Sequence, residues 1–297
     1  MEWKENLIKL YLHICEDKSI QNYLKGLRMS NNRVIEFTDE EMLTIYLFGI
    51  TQRLSKVKDI YAYTKKHLYD WFPKLPSYQA FNNRLNNLYA CFELIIDSIN
   101  QSAVLRVPFT SEKIIDSMPI IVANNKRSSV ARVAQGICSK GFCSSKNMYY
   151  YGVKLHALVI VRPTQLPLPE KSWFTPAHEN DLTAARPVFS GLYNCKIYGD
   201  KIYADADLNQ TMMVQQNSII ITPIKKEKGQ QTEDAADNIF STLVSKVRQP
   251  IESLFNWLNE KTQIQTANKV RSPKGLCVHI WGKFAAALLM LTGFFNP

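Results

Sequence analysis

The apolar positions of the first hundred residues recur at helical spacing, every three or four residues. In the opening segment they are Trp3, Leu7, Leu10 and Ile14. Thr38 followed by Glu41 matches a capping box directly ahead of a long apolar run, so another helix is predicted to begin there. Further helices are predicted over 55–72 and 77–92, separated by a Pro-Lys-Leu-Pro breaker. Residues 1–108 therefore predict a helical domain.

After residue 110 the pattern changes to short apolar runs that alternate with helical segments. Strands are predicted over 114–122, 149–161, 196–204 and 218–223. Helices are predicted over 181–192, 205–216 and 235–260. Strands interrupted by helices indicate an α/β domain with a mixed sheet, assigned to residues 109–297. The last apolar run, 284–295, predicts a buried terminal helix because it is too short to span a bilayer.

The charge of the chain indicates a class of partner. The formal net charge is +10, and most of the excess of Lys and Arg lies after Pro108. A positive surface of this size favours a polyanion such as nucleic acid, although a basic protein without such a partner is the alternative. The loop-like segment 124–147 contains five basic residues and no acidic one: Lys126, Arg127, Arg132, Lys140 and Lys146. It is a candidate DNA-contacting loop, with a solvated surface loop as the alternative.

The six cysteines are scattered along the chain without the close pairs that structural zinc sites use. No signal-peptide pattern stands at the start of the sequence, so the cysteines are expected to be reduced thiols in a cytoplasmic protein. The cysteine pattern therefore speaks against a zinc module and against a disulfide-stabilised secreted scaffold.

Two aspartates lie where a carboxylate needs a partner. Asp116 lies inside the apolar strand Ile-Ile-Asp-Ser-Met-Pro-Ile-Ile, and an ionised group is costly to bury there. Asp200 lies at or near the end of another predicted strand, in Tyr-Gly-Asp-Lys-Ile-Tyr. A shared divalent cation satisfies both, because Mg²⁺ binds one or two carboxylates and completes its shell with phosphates and water. Pairing with Lys or Arg is the alternative.

Glu252 is the candidate third carboxylate, on the last long predicted helix. The apolar stripe beside it consists of Ile251, Leu254, Phe255 and Leu258. Arg248 lies four residues before Glu252 and shares its face if the helix continues through Pro250. It would then clamp a phosphate or form an ion pair with Glu252. Pro250 itself favours a helix start or a kink at that point.

Other acidic residues and a histidine compete for roles in the site. Asp205 and Asp207 come shortly after Asp200, beyond the predicted strand. Both are expected at the start of the next helix as capping or dipole-compensating residues. Asp181 likewise indicates a helix N-terminus. His156, in an apolar strand, is interpreted as a core histidine and receives no catalytic role.

Two segments carry candidate DNA contacts. In the helix over 77–88, apolar residues define a core face, namely Phe81, Leu85 and Leu88. The opposite face carries Gln79, Asn82, Asn83, Arg84, Asn86 and Asn87. Amide and guanidinium groups of this kind read base edges in recognition helices, and a polar solvent face is the alternative. The basic run of Lys225, Lys226 and Lys228 is better suited to phosphates than to bases.

Four motifs in order resemble those of bacterial insertion-sequence transposases with a DDE catalytic domain. They are Ile-Ile-Asp116-Ser-Met-Pro, Tyr-Tyr-Gly-Val-Lys154-Leu-His156, Tyr-Gly-Asp200-Lys201-Ile-Tyr203 and Arg248-Gln-Pro-Ile-Glu252. The resemblance covers about 114–295, and the helical start is similar to the family's DNA-binding region. It implies an RNase H-like, integrase-like catalytic domain after an all-α, helix-turn-helix-like domain.

The resemblance also implies the roles of the matched residues. Asp116, Asp200 and Glu252 would bind two Mg²⁺ or Mn²⁺ ions and catalyse cleavage of the element ends and their joining to target DNA. The expected DNA contacts are Arg248, Lys201, Lys154, Lys225, Lys226, Arg84, Asn83, Lys126 and Arg127. Double-stranded DNA, as terminal inverted repeats and target, would be the partner of at least a dimer.

The sequence departs from the family pattern at three positions. The usual Asp-Lys-Gly-Tyr reads Asp-Lys-Ile-Tyr, so the turn after Asp200 must accept a β-branched residue. Ser245 and Asn259 stand where related groups have a Tyr and a Lys, so no leaving-strand contact follows from that signature. The rival functions are a metal-dependent nuclease of the same fold that does not join DNA, and an inactive DNA-binding regulator.

Overall fold

The chain forms two compact units, seen in a computed structural model that describes residues 2–27, 35–106, 110–144, 146–225 and 234–295. The first unit consists of Met1–Ala103 together with Leu258–Pro297, and the second of Val104–Trp257. The division near residue 104 lies close to the predicted boundary. The C-terminal end differs from the prediction, because residues after Trp257 group with the N-terminal helices and not with the sheet.

The first unit is all helical. Its N-terminal helices are α1 (Glu2–Glu16), α2 (Lys18–Leu27), α3 (Asp39–Thr51), α4 (Val57–His67), α5 (Tyr78–Asn87) and α6 (Cys91–Val104). The helical character predicted for this region is therefore confirmed. Near the C-terminus, α10 (Pro273–Cys277) leads through a π-helical turn at Val278–Gly282 into α11 (Lys283–Leu291).

Helix α3 is the centre of the first unit, since nearly all of its residues are buried. The predicted capping box is present: the Thr38 hydroxyl accepts from the Glu41 backbone N–H at 3.2 Å, and the Glu41 carboxylate accepts from the Thr38 N–H at 2.5 Å. Helix α11 packs against α3, and the backbone at Gly282 approaches the Tyr46 ring so closely that a Cβ there would lie 2.4 Å from it. The apolar C-terminal residues thus complete the core of the helical unit.

The terminal helix is longer than its apolar sequence run suggests. Pro273–Leu291 forms one stretch that is long and apolar enough to cross a membrane, contrary to the expectation from 284–295 alone. Most of this stretch is buried within the protein, as in the core helix of a water-soluble domain. Its length is therefore weak evidence for a membrane span.

The second unit contains the predicted mixed sheet. The strands are β1 (Glu112–Asn124), β2 (Ser139–Cys143), β3 (Met148–Ile160), β4 (Leu168–Pro176), β5 (Lys196–Tyr198) and β6 (Ile219–Ile221). They lie in the order β2-β3-β1-β5-β6, and β4 pairs with β3. The pairs among β1 to β4 are antiparallel, whereas β1-β5 and β5-β6 are parallel. The α/β fold class expected after a helical domain is therefore confirmed.

Helices cover the sheet and complete its core. They are α7 (Asp181–Phe189), α8 (Ala206–Gln216) and α9 (Ala235–Thr262). Residues of α7 and α8 pack with strand residues such as Ile115, Leu158 and Ile197 in one buried cluster. The predicted stripe of α9 is buried at every position, from Ile251 to Leu258.

Three strand predictions need correction. Strand β2 lies in the segment interpreted as a loop, because only the last two of its five residues, Phe142 and Cys143, are apolar and no alternation is visible. Strand β4 also escaped prediction, since Pro169, Glu170 and Lys171 interrupt its apolar pattern. Such residues are tolerated because β4 is an edge strand that pairs only with β3. Strand β5 ends at Tyr198, and the residues predicted to extend it form a 3₁₀ turn at Lys201–Tyr203.

Of the helix start or kink expected at Pro250, the helix start is wrong, since α9 is continuous from Ala235 to Thr262. A proline inside a helix removes one hydrogen bond and costs about 3 kcal/mol. Burial of Ile251, Leu254 and Phe255 directly after it offsets this cost, at about 1.5–3 kcal/mol for each side chain. The continuity of α9 fixes Arg248 one turn before Glu252.

Candidate active site

The fold brings Asp116 and Asp200 to neighbouring positions on the sheet. In the parallel pair of β1 and β5, Ile114 lies opposite Tyr198. Asp116 and Asp200 each follow two residues later, so the two aspartates lie next to each other. Asp116 lies within β1, and its Oδ1 accepts from the Ser117 N–H at 2.8 Å. Asp200 follows β5 and caps the 3₁₀ turn, accepting from the Lys201 N–H at 2.6 Å. The predicted proximity of these two carboxylates agrees with the register.

Arg248 lies between the two carboxylates. Its Nη2 donates to Asp116 Oδ2 at 3.1 Å, and its Nη1 lies 3.8 Å from Asp200 Oδ1. The arginine side chain is 11% exposed, and its buried Nε has no hydrogen-bond partner among the described residues. Pairing with a basic residue, the alternative raised for isolated strand aspartates, is therefore found. Within the protein, Arg248 pairs with Asp116 and Asp200, whereas the sequence suggested Glu252 as its protein partner. Its contact with a DNA phosphate stays a prediction.

Burial makes the Asp116 carboxylate dependent on positive charge. The pKa of Asp116 is raised to about 6, chiefly by burial and to a lesser degree by the nearby Asp200 and Asp181 carboxylates. The Arg248 guanidinium and the Ser117 N–H oppose this rise by stabilising the ionised form. A buried acid with acidic neighbours favours a bound cation.

Asp181 is a fourth acidic residue of this region, and the sequence pattern gave it only a helix-terminal role. It does begin α7, after the N-cap Asn180. Its Oδ1 also accepts from Lys154 Nζ at 2.7 Å and its Oδ2 from the Ser117 hydroxyl at 2.9 Å. The sequence does not predict that Asp181 contacts Ser117, because the two residues are far apart along the chain.

Tyr203 lies buried beside the aspartates. Its hydroxyl has no hydrogen-bond partner among the described residues, and burial together with Asp181 and Asp116 holds its pKa well above the usual value. Gly199 is required for this packing, since a Cβ there would lie 2.9 Å from the Tyr203 ring. The turn accepts the β-branched Ile202 because that side chain is directed to solvent.

Glu252 lies exposed on α9, one turn after Arg248. Over the parts of the chain that the structure describes, no three His, Cys, Asp or Glu side chains are grouped closely enough to hold a metal ion. The donor set of Asp116 and Asp200 nevertheless fits a divalent cation, because both carboxylates already share one cationic group. Participation of Glu252 stays a prediction.

Several predicted nucleic-acid contacts have partners within the protein. Lys154 Nζ donates to Asp181 and to the Glu179 carbonyl at 2.8 Å, and its side chain is 17% exposed. Arg84 donates to Asp39 and to the Phe37 carbonyl, both at 2.5 Å. These contacts give Lys154 and Arg84 structural roles that the sequence pattern did not reveal.

The other predicted contacts differ in their surroundings. Asn83, Lys126, Arg127 and Lys225 are exposed, and Lys201 is half-buried in the turn after Asp200. Lys226 lies outside the described residues. On α5, the core residues Phe81, Leu85 and Leu88 are buried, as predicted.

The remaining acidic residues and the histidine have the surroundings expected from the sequence. Asp205 caps α8, accepting from the Leu208 N–H at 2.9 Å, and forms an ion pair with Arg186. His156 is fully buried, stacks on Trp173 and hydrogen-bonds Thr175 at 2.8 Å. Burial lowers the pKa of His156 to about 4, which keeps the ring neutral.

Comparison with known proteins connects this arrangement to a family. The searches of curated proteins and of solved structures found no match. The family model described as "Transposase DDE domain" matches residues 108–272, a range that includes Asp116, Asp200, Arg248 and Glu252. Since this match spans more than half of the chain, the protein belongs to the family of transposase DDE domains.

Proposed function

We propose that this transposase cleaves the ends of an insertion sequence and joins them to target DNA, using Asp116, Asp200 and Glu252 as its catalytic carboxylates. The observation that carries the proposal is the meeting of Asp116 and Asp200 at one guanidinium. One carboxylate within a strand and one directly after the neighbouring strand, both beside the same cationic group, match phosphodiester chemistry, in which charge develops on the attacking and departing oxygens.

The proposed cofactor is Mg²⁺ or Mn²⁺, two ions per site, bound by Asp116, Asp200 and Glu252. Oxygen ligands suit these ions better than thiolate or imidazole ligands do. When bound, the ions would activate the attacking oxygen and stabilise charge on the scissile phosphate and the leaving oxygen. The same site would serve water in the first step and the exposed 3′-hydroxyl in the second.

Arg248 contacts both proposed ligands: its Nη2 donates to Asp116 Oδ2, and its Nη1 lies 3.8 Å from Asp200 Oδ1. The guanidinium therefore competes with a divalent ion for the same oxygens, and its release makes a positive group available for a DNA phosphate. Lys154 and Asp181 support the site by fixing Ser117, the neighbour of Asp116.

DNA recognition is proposed to involve residues outside this acidic site. Asn83 on the outer face of α5 and the exposed Lys126, Arg127 and Lys225 are the proposed contacts for double-stranded DNA. Because an element has two ends that must be processed together, we propose that the active form on DNA is at least a dimer.

The decisive experiment is a strand-transfer assay. A labelled duplex that carries the terminal repeat from beside the gene, pre-cut to leave a free 3′-hydroxyl, is incubated with the protein, Mg²⁺ and a supercoiled plasmid. Joined products that require Mg²⁺ are expected. Cleavage of the intact end without joining would indicate a nuclease, and DNA binding without cleavage would indicate a regulator.

The Arg248→Gln substitution is expected to increase the affinity of the DNA-free protein for Mn²⁺ about three- to tenfold, because a competing positive charge leaves the carboxylates. Isothermal titration calorimetry measures this affinity without DNA cleavage. The control is Arg186→Gln, which removes an arginine from the helix cap Asp205 and leaves the contacts of Arg248 with Asp116 and Asp200 in place. Equal or weaker Mn²⁺ binding by Arg248→Gln would contradict the proposed competition.

A further inference from the structure

The β2-β3 hairpin presents two aromatic rings to solvent. Phe142 and Tyr149 are register partners in the antiparallel pair, and their ring centroids lie 5.1 Å apart. The residues are 48% and 56% exposed. Single exposed apolar residues are common on proteins, but adjacent exposed rings on one hairpin form a patch of the kind that binds ligands.

A lysine lies over one of the two rings, in a segment that is rich in basic residues. Lys140 is exposed, and its Nζ lies 4.7 Å from the centroid of the Tyr149 ring. The segment 124–147, which includes β2, has five basic residues and no acidic one. Lys126 and Arg127 of this segment are exposed in a turn that packs against β3. Flat apolar surfaces with cations are complementary to a ligand that has both π faces and negative charge.

The hairpin is anchored from its other side, so the rings are held firmly. Cys143, Tyr150 and Ala177 form a buried cluster. The backbone at Gly141 lies against Ala177, where a Cβ would be 2.4 Å from the Ala177 carbonyl oxygen. Side chains alternate along a strand, so Phe142 is directed away from this cluster while its neighbours on β2 are held by it.

The aromatic pair lies on the same face of the sheet as the proposed catalytic carboxylate. Asp116 is opposite Ala157 on β3, and Tyr149 lies eight residues before Ala157 on the same strand. An even separation places both side chains on one face, and a strand rises about 3.3 Å per residue. The rings therefore lie about 26 Å along the strand from the level of Asp116.

We propose that Phe142, Tyr149 and Lys140 form a platform on which unpaired bases of a DNA strand stack. Stacking on aromatic rings is tolerant of sequence, because every base has a π face, and Lys140 would attract the phosphates. The identification of the polyanion as DNA rests on the proposed function. The platform itself requires no cleavage step, so it is testable without metal.

The test compares single-stranded and duplex DNA binding in EDTA. A fluorescein-labelled oligonucleotide of fifteen thymidines and a blunt duplex of equal length are titrated with the protein and followed by fluorescence anisotropy. The double variant Phe142→Ala/Tyr149→Ala is expected to bind the single strand about tenfold or more weakly, since both rings on which bases stack are removed. Duplex binding should change less than about twofold.

Two further variants serve as controls, one for apolar volume on the hairpin and one for loss of an exposed aromatic side chain elsewhere. Phe142→Leu/Tyr149→Leu retains apolar volume on the hairpin but removes the rings, and the same selective loss is expected. Tyr193→Ala removes an equally exposed aromatic side chain elsewhere in the second unit and should leave both affinities unchanged. Thermal unfolding of each variant establishes that the hairpin substitutions leave the fold intact.

Three outcomes would overturn the platform. Unchanged single-strand binding by both double variants excludes stacking, and equal weakening of both DNA forms indicates a phosphate contact only. Dissociation of a dimer on substitution, with unchanged single-strand binding, would instead assign the rings to a second copy of the chain. If the ring variants show the selective loss but the parent protein joins no DNA, the proposed function fails while the platform stands.

Discussion

Asp116→Asn is expected to reduce Mg²⁺-dependent cleavage of the terminal-repeat duplex about 1000-fold or more, and Asp200→Asn and Glu252→Gln should do the same. Each amide keeps the shape of the side chain but removes the negative charge that holds a cation. Single-turnover cleavage of an end-labelled duplex measures the rate. Anisotropy in EDTA should show duplex binding within about threefold of the parent, since phosphate contacts dominate affinity.

Matched controls separate a catalytic role from a general loss of charge. Asp207→Asn alters an exposed aspartate on α8, seven residues after Asp200, and Glu260→Gln alters an exposed glutamate two turns after Glu252 on α9. Both should cleave at close to the parent rate. Cleavage by Asp116→Asn at the parent rate would reject the whole site.

If Glu252→Gln is the only one of the three variants that cleaves at the parent rate, only the assignment of Glu252 as the third carboxylate is rejected. Asp181 would then be the next residue to substitute, because its charge is close enough to affect the pKa of Asp116. Asp181→Asn also removes the acceptor of Lys154, so a Lys154→Gln variant is needed beside it. Loss of cleavage in Asp181→Asn but not in Lys154→Gln would identify a ligand and not a supporting residue.

The helices could be predicted from sequence because local patterns determine them. The capping box at Thr38 and the apolar spacing of α1 and α9 depend only on neighbouring residues. Strands β2 and β4 depend on the partner strand β3, and their own residues carry little periodicity. The place of the C-terminal helix depends on burial against α3, which its uniformly apolar sequence does not specify.

The site could be predicted only where a residue conflicted with its own surroundings. Asp116 stood out because an acid in an apolar strand requires compensation. Asp181 and Tyr203 gave no such signal, since each has an ordinary local explanation, and their proximity to Asp116 follows from the fold. The aromatic pair of the hairpin was hidden for the same reason, because Phe142 and Tyr149 meet only through strand pairing.

Lys283 is a lysine that the fold buries. It begins the apolar helix α11, is 2% exposed, and donates from Nζ to the Gln263 carbonyl at 3.2 Å. Burial lowers the pKa of the Lys283 ammonium to about 7 from an ordinary 10.5. The charged form is therefore strongly disfavoured in the folded helical unit.

Lys283→Met is expected to raise the free energy of unfolding at pH 7 by about 2 kcal/mol or more. A pKa lowered by this amount corresponds to about 5 kcal/mol of destabilisation, at 1.36 kcal/mol per pKa unit. Removing the hydrogen bond to the Gln263 carbonyl costs about 1–3 kcal/mol, which offsets part of the stabilisation. Urea denaturation followed by circular dichroism measures the difference between variant and parent.

The pH dependence gives the sharper test. Between pH 7 and 10.5 the unfolded parent keeps the Lys283 proton while the folded parent has lost it, so parent stability from this residue rises with pH. Below pH 7 both states are protonated and the full penalty is present. The advantage of Lys283→Met should therefore shrink as pH rises from 7 to 9, while Lys269→Met, at an exposed position, should show no such trend. An advantage that is constant over this range would mean that Lys283 stays charged in the folded protein.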